Sequence, residues 1–562
     1  MSTKALDQLD EFKRSFDGRS RARTLKILAQ LNRRRFTDAP ALIRFHEILL
    51  FMRAYPQGKN VLRQVEKILA SFIERVSALE ESDADLSAFD DVEVSGIAGT
   101  AVEDTFSYSI TRGLVKRHAS QVSIDWQLIE DEYRLAATWP RFLPLLEEDA
   151  LVEANVPYLD WLHAANRGRS RDLAWLIERF ERLTISEKER AELYESLKLY
   201  VRWRLGNSRA TRTQMKRRVR KIFYHTKALL RRSDVSLARE FVQPAIKLDR
   251  LSRKTGEGLL DLARETSTMR YRELYGFTHG DAARVLRARI GRGAEVFLVG
   301  VPPGARLPLR AYHAGLVFKN GVPVCYVEGL TLFERMEIGF NVYYTFREGE
   351  SAWIYARLLK IFRQLLNVTA FSIDPYQLGY ENEEGIESGA FWFYRKLGFR
   401  PTLPKIAKIM EAEERKIAAS KSYRTPARVL RKLSEGHMIL EIPPAHRSRW
   451  DNFRIRSVGL AVQRRMAKSF GGDALKMRRA SSEEVAHALN VRTKDWKEAE
   501  RNPLENLAPV LALIPDLSSW TKDEKRDVVR IIRAKASADE ARYVRLLQKH
   551  SRLRDEIIKL GL

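Results

Sequence analysis

Glu387-Ser388-Gly389-Ala390-Phe391-Trp392-Phe393-Tyr394-Arg395-Lys396-Leu397-Gly398-Phe399-Arg400-Pro401 reads as an aromatic-faced helix that stops at Leu-Gly-Phe. Gly398 falls where a helix C-terminus wants a left-handed residue, and Phe399 is placed to fold back onto the last turn. Phe391 to Tyr394 form a continuous aromatic block, so at least two of the four rings must pack whatever the helix does.

Upstream lies a run of strand-like segments. Ala314 to Phe318 and Val322 to Phe333 flank Lys319-Asn320-Gly321, and Asn-Gly is the strongest short signal for a tight hairpin because both residues tolerate positive φ. Met336 to Phe346, rich in Val, Tyr and Phe, reads as a third strand. It runs into Arg347-Glu348-Gly349-Glu350-Ser351-Ala352 and then a helix-period stretch, Trp353 to Leu366, with apolar residues at Ile354, Leu358, Ile361, Phe362 and Leu365. A strand, a glycine turn and a helix N-terminus in that order make an anion site, because first-turn N–H groups point outward and the helix dipole favours negative charge. Further strands are expected at Val368 to Ile373 and His437 to Ile442.

This order, over roughly residues 270 to 445, resembles the GNAT superfamily of acyl-coenzyme A-dependent N-acyltransferases. Ala390 to Phe399 matches its Ala-x-x-x-Tyr-x-Lys-Leu-Gly-Phe segment, and the resemblance implies that Tyr394 protonates the departing thiolate. The family's pyrophosphate turn, Gln/Arg-x-x-Gly-x-Gly/Ala, aligns with Gly349 and, as a small residue, Ser351. Arg347, Gly349, Ser351 and Ala352 are therefore the coenzyme A-binding candidates that the resemblance implies. Phe346 stands where the family has Gln or Arg, and Glu387 where it has Asn. Transfer to an amine also needs a base for the ammonium proton. Glu328 and Glu337, carboxylates in otherwise apolar strand patterns, are the candidates, although period-two alternation equally allows either one a solvated face. Asp374, Glu381, Glu383, Glu384 and Glu387 form an acidic island that either receives a cationic acceptor or balances nearby arginines.

The rest of the chain frames this domain. At 562 residues and 44% hydrophobic composition it is long enough for several cores and is not a disordered chain. Its single cysteine, Cys325, excludes a disulfide framework and reads as a small core residue. The ten histidines are scattered, so no metal site is expected. Met1 to Ser20 has no apolar leader core and no stretch approaches a membrane span, so a soluble cytoplasmic protein is expected. Residues 1–265 read as helical, with segments such as Leu42 to Met52 and Leu62 to Val76, a capping box at Ser186-x-x-Glu189 and a break near 82–100. Residues 446–562 read as helical again, with helix starts expected at Ser481, Thr521 and Ser537 and connections at Pro503 and Pro515.

The formal charge of +26 is densest from Arg202 to Arg232, a stretch with no acid. Read as a helix, it offers Lys216, Arg217, Arg218, Arg220 and Lys221 to a nucleic-acid backbone, or presents a solvated basic face, or meets an anionic membrane surface. The expected architecture is multidomain α+β: a helical N-terminal region, a central mixed β-sheet GNAT-like domain at 266–445 and a helical C-terminal region. Acyl-coenzyme A-dependent transfer to an amine is the leading expectation. The alternatives are a non-catalytic interaction protein with basic nucleic-acid-binding stretches on a GNAT-like scaffold, and an acyl donor that is a charged tRNA.

Overall fold

Asn320 and Gly321 both take positive φ, 49° and 86°, which is the type I′ turn their identities call for. The computed structural model that shows this describes residues 2–129, 131–145, 156–167 and 171–562. The chain is α+β and divides into two compact units. One comprises residues 1–228, 258–278 and 319–323, and the other 229–257, 279–318 and 324–562.

The first unit is largely helical but also holds a small sheet, β1 (Ala101–Asp104), β2 (Val122–Ile124) and β3 (Val201–Arg204), in which β3 pairs antiparallel with both neighbours. Its signal was the alternation of buried Val201 and Trp203 with Arg202 and Arg204. The expected stretch Leu62 to Val76 is two helices, Lys59–Ala70 and Ile73–Glu80.

The basic stretch after β3 is not a helix. From Gly206 to Arg231 the backbone is turns and extended chain, and its N–H groups find partners away from their own neighbours. Arg212 donates to the Gly96 carbonyl, Arg217 to Gly321 and His225 to Pro56, at 2.8, 2.7 and 3.0 Å, while Phe223 donates to Asn320 Oδ1 at 2.8 Å. Like charges three and four residues apart weaken a helix, so these tertiary bonds win.

The second unit is built on a nine-stranded sheet. In chain order its strands are β4 (Leu248–Arg250), β5 (Leu286–Gly291), β6 (Ala294–Gly300), β7 (Ala311–Lys319), β8 (Val322–Leu332), β9 (Arg335–Val342), β10 (Ala370–Ile373), β11 (Arg400–Pro401) and β12 (Met438–Glu441). Across the sheet they run β11-β12-β10-β9-β8-β7-β6-β5-β4. β8 and β9 are antiparallel, whereas β9 and β10 are parallel. A parallel pair needs a crossover, which the helix Ser351–Leu366 supplies. β9 is shorter than its sequence suggested, because Tyr344–Phe346 turn into a 3₁₀ segment. In the stretch quoted first, Glu387 ends the short helix Glu383–Glu387, and the aromatic helix is Ala390–Arg395, begun after Gly389 at φ 65°. Gly398 takes φ 105° and Phe399 packs on Tyr394 with ring centroids 5.7 Å apart.

Capping boxes form at Ser186 and Thr521. Ser481 instead lies inside the helix Ala474–Ala488, which Asp473 caps. The Ser537 hydroxyl donates to the Asp539 carbonyl, and the next helix is Ala541–Lys549. Pro503, expected in a connection, instead lies inside the helix Glu498–Leu511, as does Pro509, and each forgoes an i→i−4 hydrogen bond there. Cys325 is fully buried, and burial pushes its thiol pKa up. Among the described residues no helix is long and apolar enough to cross a membrane.

Candidate active site

Strand register sets the first half of the site. Glu328 of β8 stands opposite Gly339 of β9, and Leu330 opposite Glu337. Since side chains alternate and facing residues share a side, Glu328 and Glu337 are diagonal neighbours on one face of the sheet. Ser372 of β10 stands opposite Glu337 in the parallel register. Opposite Glu328 there is only a glycine, and the space a Cβ would take at Gly339 is approached by Gln377 Nε2 at 3.7 Å.

The two carboxylates have different surroundings. Half-buried Glu328 accepts a hydrogen bond from the Tyr312 hydroxyl. Burial raises its pKa, and the tyrosine bond offsets only part of that rise. Glu337 is met by Arg310 at 3.2 Å and Arg335 at 3.5 Å. Burial pulls the Arg335 guanidinium down to about 10, with Glu337 opposing the fall. Asp374 caps the short helix Pro375–Leu378 by accepting from the Tyr376 N–H at 2.9 Å, and His437 Nε2 lies 3.5 Å from it. Burial alone would raise the Asp374 pKa, but the bonds from His437 and Tyr376 outweigh it and hold the group low. Donor atoms of Glu337, Asp374 and His437 lie within 4.8 Å of one another. The two guanidinium groups already supply Glu337 with the positive charge that a metal ion would bring.

The ladder between β9 and β10 ends at Glu337 and Ser372, while β9 keeps its ladder to β8 as far as Val342. From Ile338 to Val342, therefore, β9 has no β10 partner among the described residues. Phe340, on the face opposite Glu337, meets Tyr355 of the crossover helix at 5.0 Å and Phe393 at 6.4 Å between ring centroids. Tyr394 packs against Tyr355 at 5.6 Å. It is buried, and burial drives its pKa well up, so the phenol keeps its proton. The Tyr355 hydroxyl is also buried and has no hydrogen-bond partner among the described residues. The carboxylates and the tyrosines thus approach the unpaired run of β9 from opposite faces.

In the turn before the crossover helix, Gly349 donates its N–H to the Phe346 carbonyl at 2.9 Å. Ser351 and Ala352 open the helix, with Ala352 buried. Glu350, fully buried at the N-cap, accepts from Arg292 at 2.5 and 2.7 Å and from the Leu230 N–H at 3.2 Å. Arg347 pairs with Glu384 at 2.5 Å and lies over the Tyr344 ring. On the first unit's basic segment, Lys216, Arg218, Arg220 and Lys221 are exposed and Arg217 is half-buried. Lys216 pairs with Glu66 at 2.8 Å, while Arg212 is buried against Glu47 at 2.7 Å.

Tyr312, Arg310, Arg335, His437 and Arg292 were not singled out from sequence. Only Tyr312 carried a usable signal, as a polar-tipped residue two positions before Ala314 in a strand pattern. Comparison of the chain with protein-family models, curated proteins and solved structures finds no match.

Proposed function

We propose that the second unit transfers an acyl group from acyl-coenzyme A to an amine. The observation that carries this reading is the arrangement around the end of the β9–β10 ladder, with a burial-raised carboxylate on one face and a proton-bearing tyrosine on the other. Glu328, directly or through a water molecule, takes the proton of the ammonium. The freed amine attacks the thioester carbonyl, the tetrahedral intermediate expels the thiolate, and Tyr394 returns a proton to it. Glu328 suits the base role better than Glu337, whose carboxylate oxygens are already engaged by Arg310 and Arg335. Since Arg347 and Gly349 donate their N–H groups to the Tyr344 and Phe346 carbonyls, the Ser351 and Ala352 N–H groups at the helix start would take the pyrophosphate, with Gly349 leaving it room. Glu350 does not oppose this as strongly as its charge suggests, because Arg292 neutralises it. The element order around the sheet supports the GNAT resemblance on which the reading rests.

The test is release of free thiol from acetyl-coenzyme A in the presence of a panel of primary amines. Turnover is expected, with Glu328→Gln lowering it by about 10²- to 10⁴-fold. No thiol release above the amine-free rate with acetyl- or longer acyl-coenzyme A would remove the proposal. A second reading, a non-catalytic nucleic-acid-binding role, is favoured by one observation. The exposed cations at Lys216, Arg218, Arg220 and Lys221 lie on extended chain, which lets them track a phosphate backbone.

A further inference from the structure

The second unit contains a cavity of about 240 Å³ apart from the carboxylate and tyrosine groups above, well beyond the ~10–15 Å³ that admits a single water. Its walls are apolar: Leu286, Leu298, Val299, Val301 and Leu365. Arg250, Arg284 and Arg545 bring three positive charges to it. Arg250 and Arg545 bond only to backbone carbonyls among the described residues, those of Ala283 at 2.8 and 3.0 Å and of Leu365 at 3.3 Å. Arg284 reaches the Asp281 carboxylate only at 3.9 Å.

Two acids also line the space, Asp539 and Glu540. Glu540 is already committed, to Lys535 at 2.5 Å and to the Tyr312 N–H at 3.1 Å. Asp539 accepts from the Ala541 N–H at 3.0 Å and leaves one negative charge against three arginines. His313 of β7 lines the cavity as well. It is buried, and its Nδ1 has no hydrogen-bond partner among the described residues. An unsatisfied buried ring nitrogen is costly unless a ligand or water completes it.

We infer that this cavity binds a small monocarboxylate with an aliphatic body, the chain lying against the leucine and valine walls and the carboxylate meeting the arginines and His313 Nδ1. A neutral imidazole with its proton on Nδ1 donates to such an oxygen. Arginine favours a planar carboxylate, and Asp539 disfavours a dianion such as phosphate. Pockets that are mostly apolar with a few convergent polar groups are the usual form of small-molecule sites. Nothing in this inference depends on the acyl-transfer reading.

The test uses the full chain and sodium hexanoate as probe, with 1-hexanol, hexylamine and inorganic phosphate for comparison, followed by ligand-observed NMR and thermal shift. Hexanoate should bind saturably and about tenfold or more tighter than each of the other three. Gly300 lines the cavity, and a Cβ there meets nothing within 4 Å. Gly300→Val should therefore fill the space and abolish binding in a folded protein. Arg545→Gln, an exposed change, should weaken binding about tenfold and serves if Gly300→Val does not fold. No saturable hexanoate binding, equal or tighter binding of hexanol, hexylamine or phosphate, or full affinity in a folded Gly300→Val or in Arg545→Gln would each overturn the inference.

Discussion

Glu328 and Tyr312 form the pair on which the proposed chemistry turns. Burial raises the Glu328 pKa above its ordinary value of 4.5, so a base role places the acid limb of the kcat/KM profile above that of an ordinary carboxylate. Tyr312→Phe removes the hydrogen bond that lowers this pKa, and the limb should move to still higher pH, by about one unit for each ~1.4 kcal/mol by which the bond favours the ionised form. An unchanged limb would separate Glu328 from the titration. The stability linkage has the matching sign. A folded pKa raised above the unfolded one means that the folded state holds more protons between the two values, so stability falls as pH rises through that window. Tyr394→Phe is expected to lower turnover by about 10²-fold or more with little change in KM, the mark of a lost proton transfer. Unchanged turnover would take Tyr394 out of the mechanism.

Elements were legible where the signal was local. Asn320-Gly321 named its turn type, Gly398 its left-handed stop, and Ser186 and Thr521 their caps, because each depends on residues within a few positions. The segment after β3 does not form the expected helix because its N–H groups are satisfied by Gly96, Gly321, Pro56 and Asn320, 97 to 169 residues away, and no periodicity records that. The Gly321 contact makes this testable: a Cβ there would lie 2.3 Å from the Arg217 carbonyl oxygen at φ +86°. Gly321→Ala should destabilise the protein by about 1–3 kcal/mol in chemical denaturation, and a neutral result would mean that the basic segment is not pinned there. If the segment also tracks phosphates, reversing Lys216, Arg218, Arg220 and Lys221 to glutamate should flatten the salt dependence of nucleic-acid binding by several units of log–log slope. Wild type that shows no affinity at low salt would end that reading.

At the scale of the whole molecule, the sequence pointed to β7, β8, β9, the crossover helix, β10 and β12, but not to β4, β5, β6, β11 or the small sheet, nor to the groups that the large sheet brings together. Glu328 and Tyr312 are 16 residues apart, and His437 reaches Asp374 only because β12 lies beside β10. Glu350 brings a negative charge to the turn before the crossover helix, and Arg292, in the turn between β5 and β6, is placed against it. The central claim remains acyl-coenzyme A chemistry at the end of the β9–β10 ladder, and calorimetric titration of the full chain with coenzyme A tests it most directly. Wild type should bind in the micromolar range and gain about 2.7 kcal/mol of stability at 100 times the dissociation constant. Gly349→Val, whose branched side chain blocks phosphate from the backbone, should fold normally and lose that binding. Absence of binding to wild type, or equal affinity in the folded variant, would contradict the account.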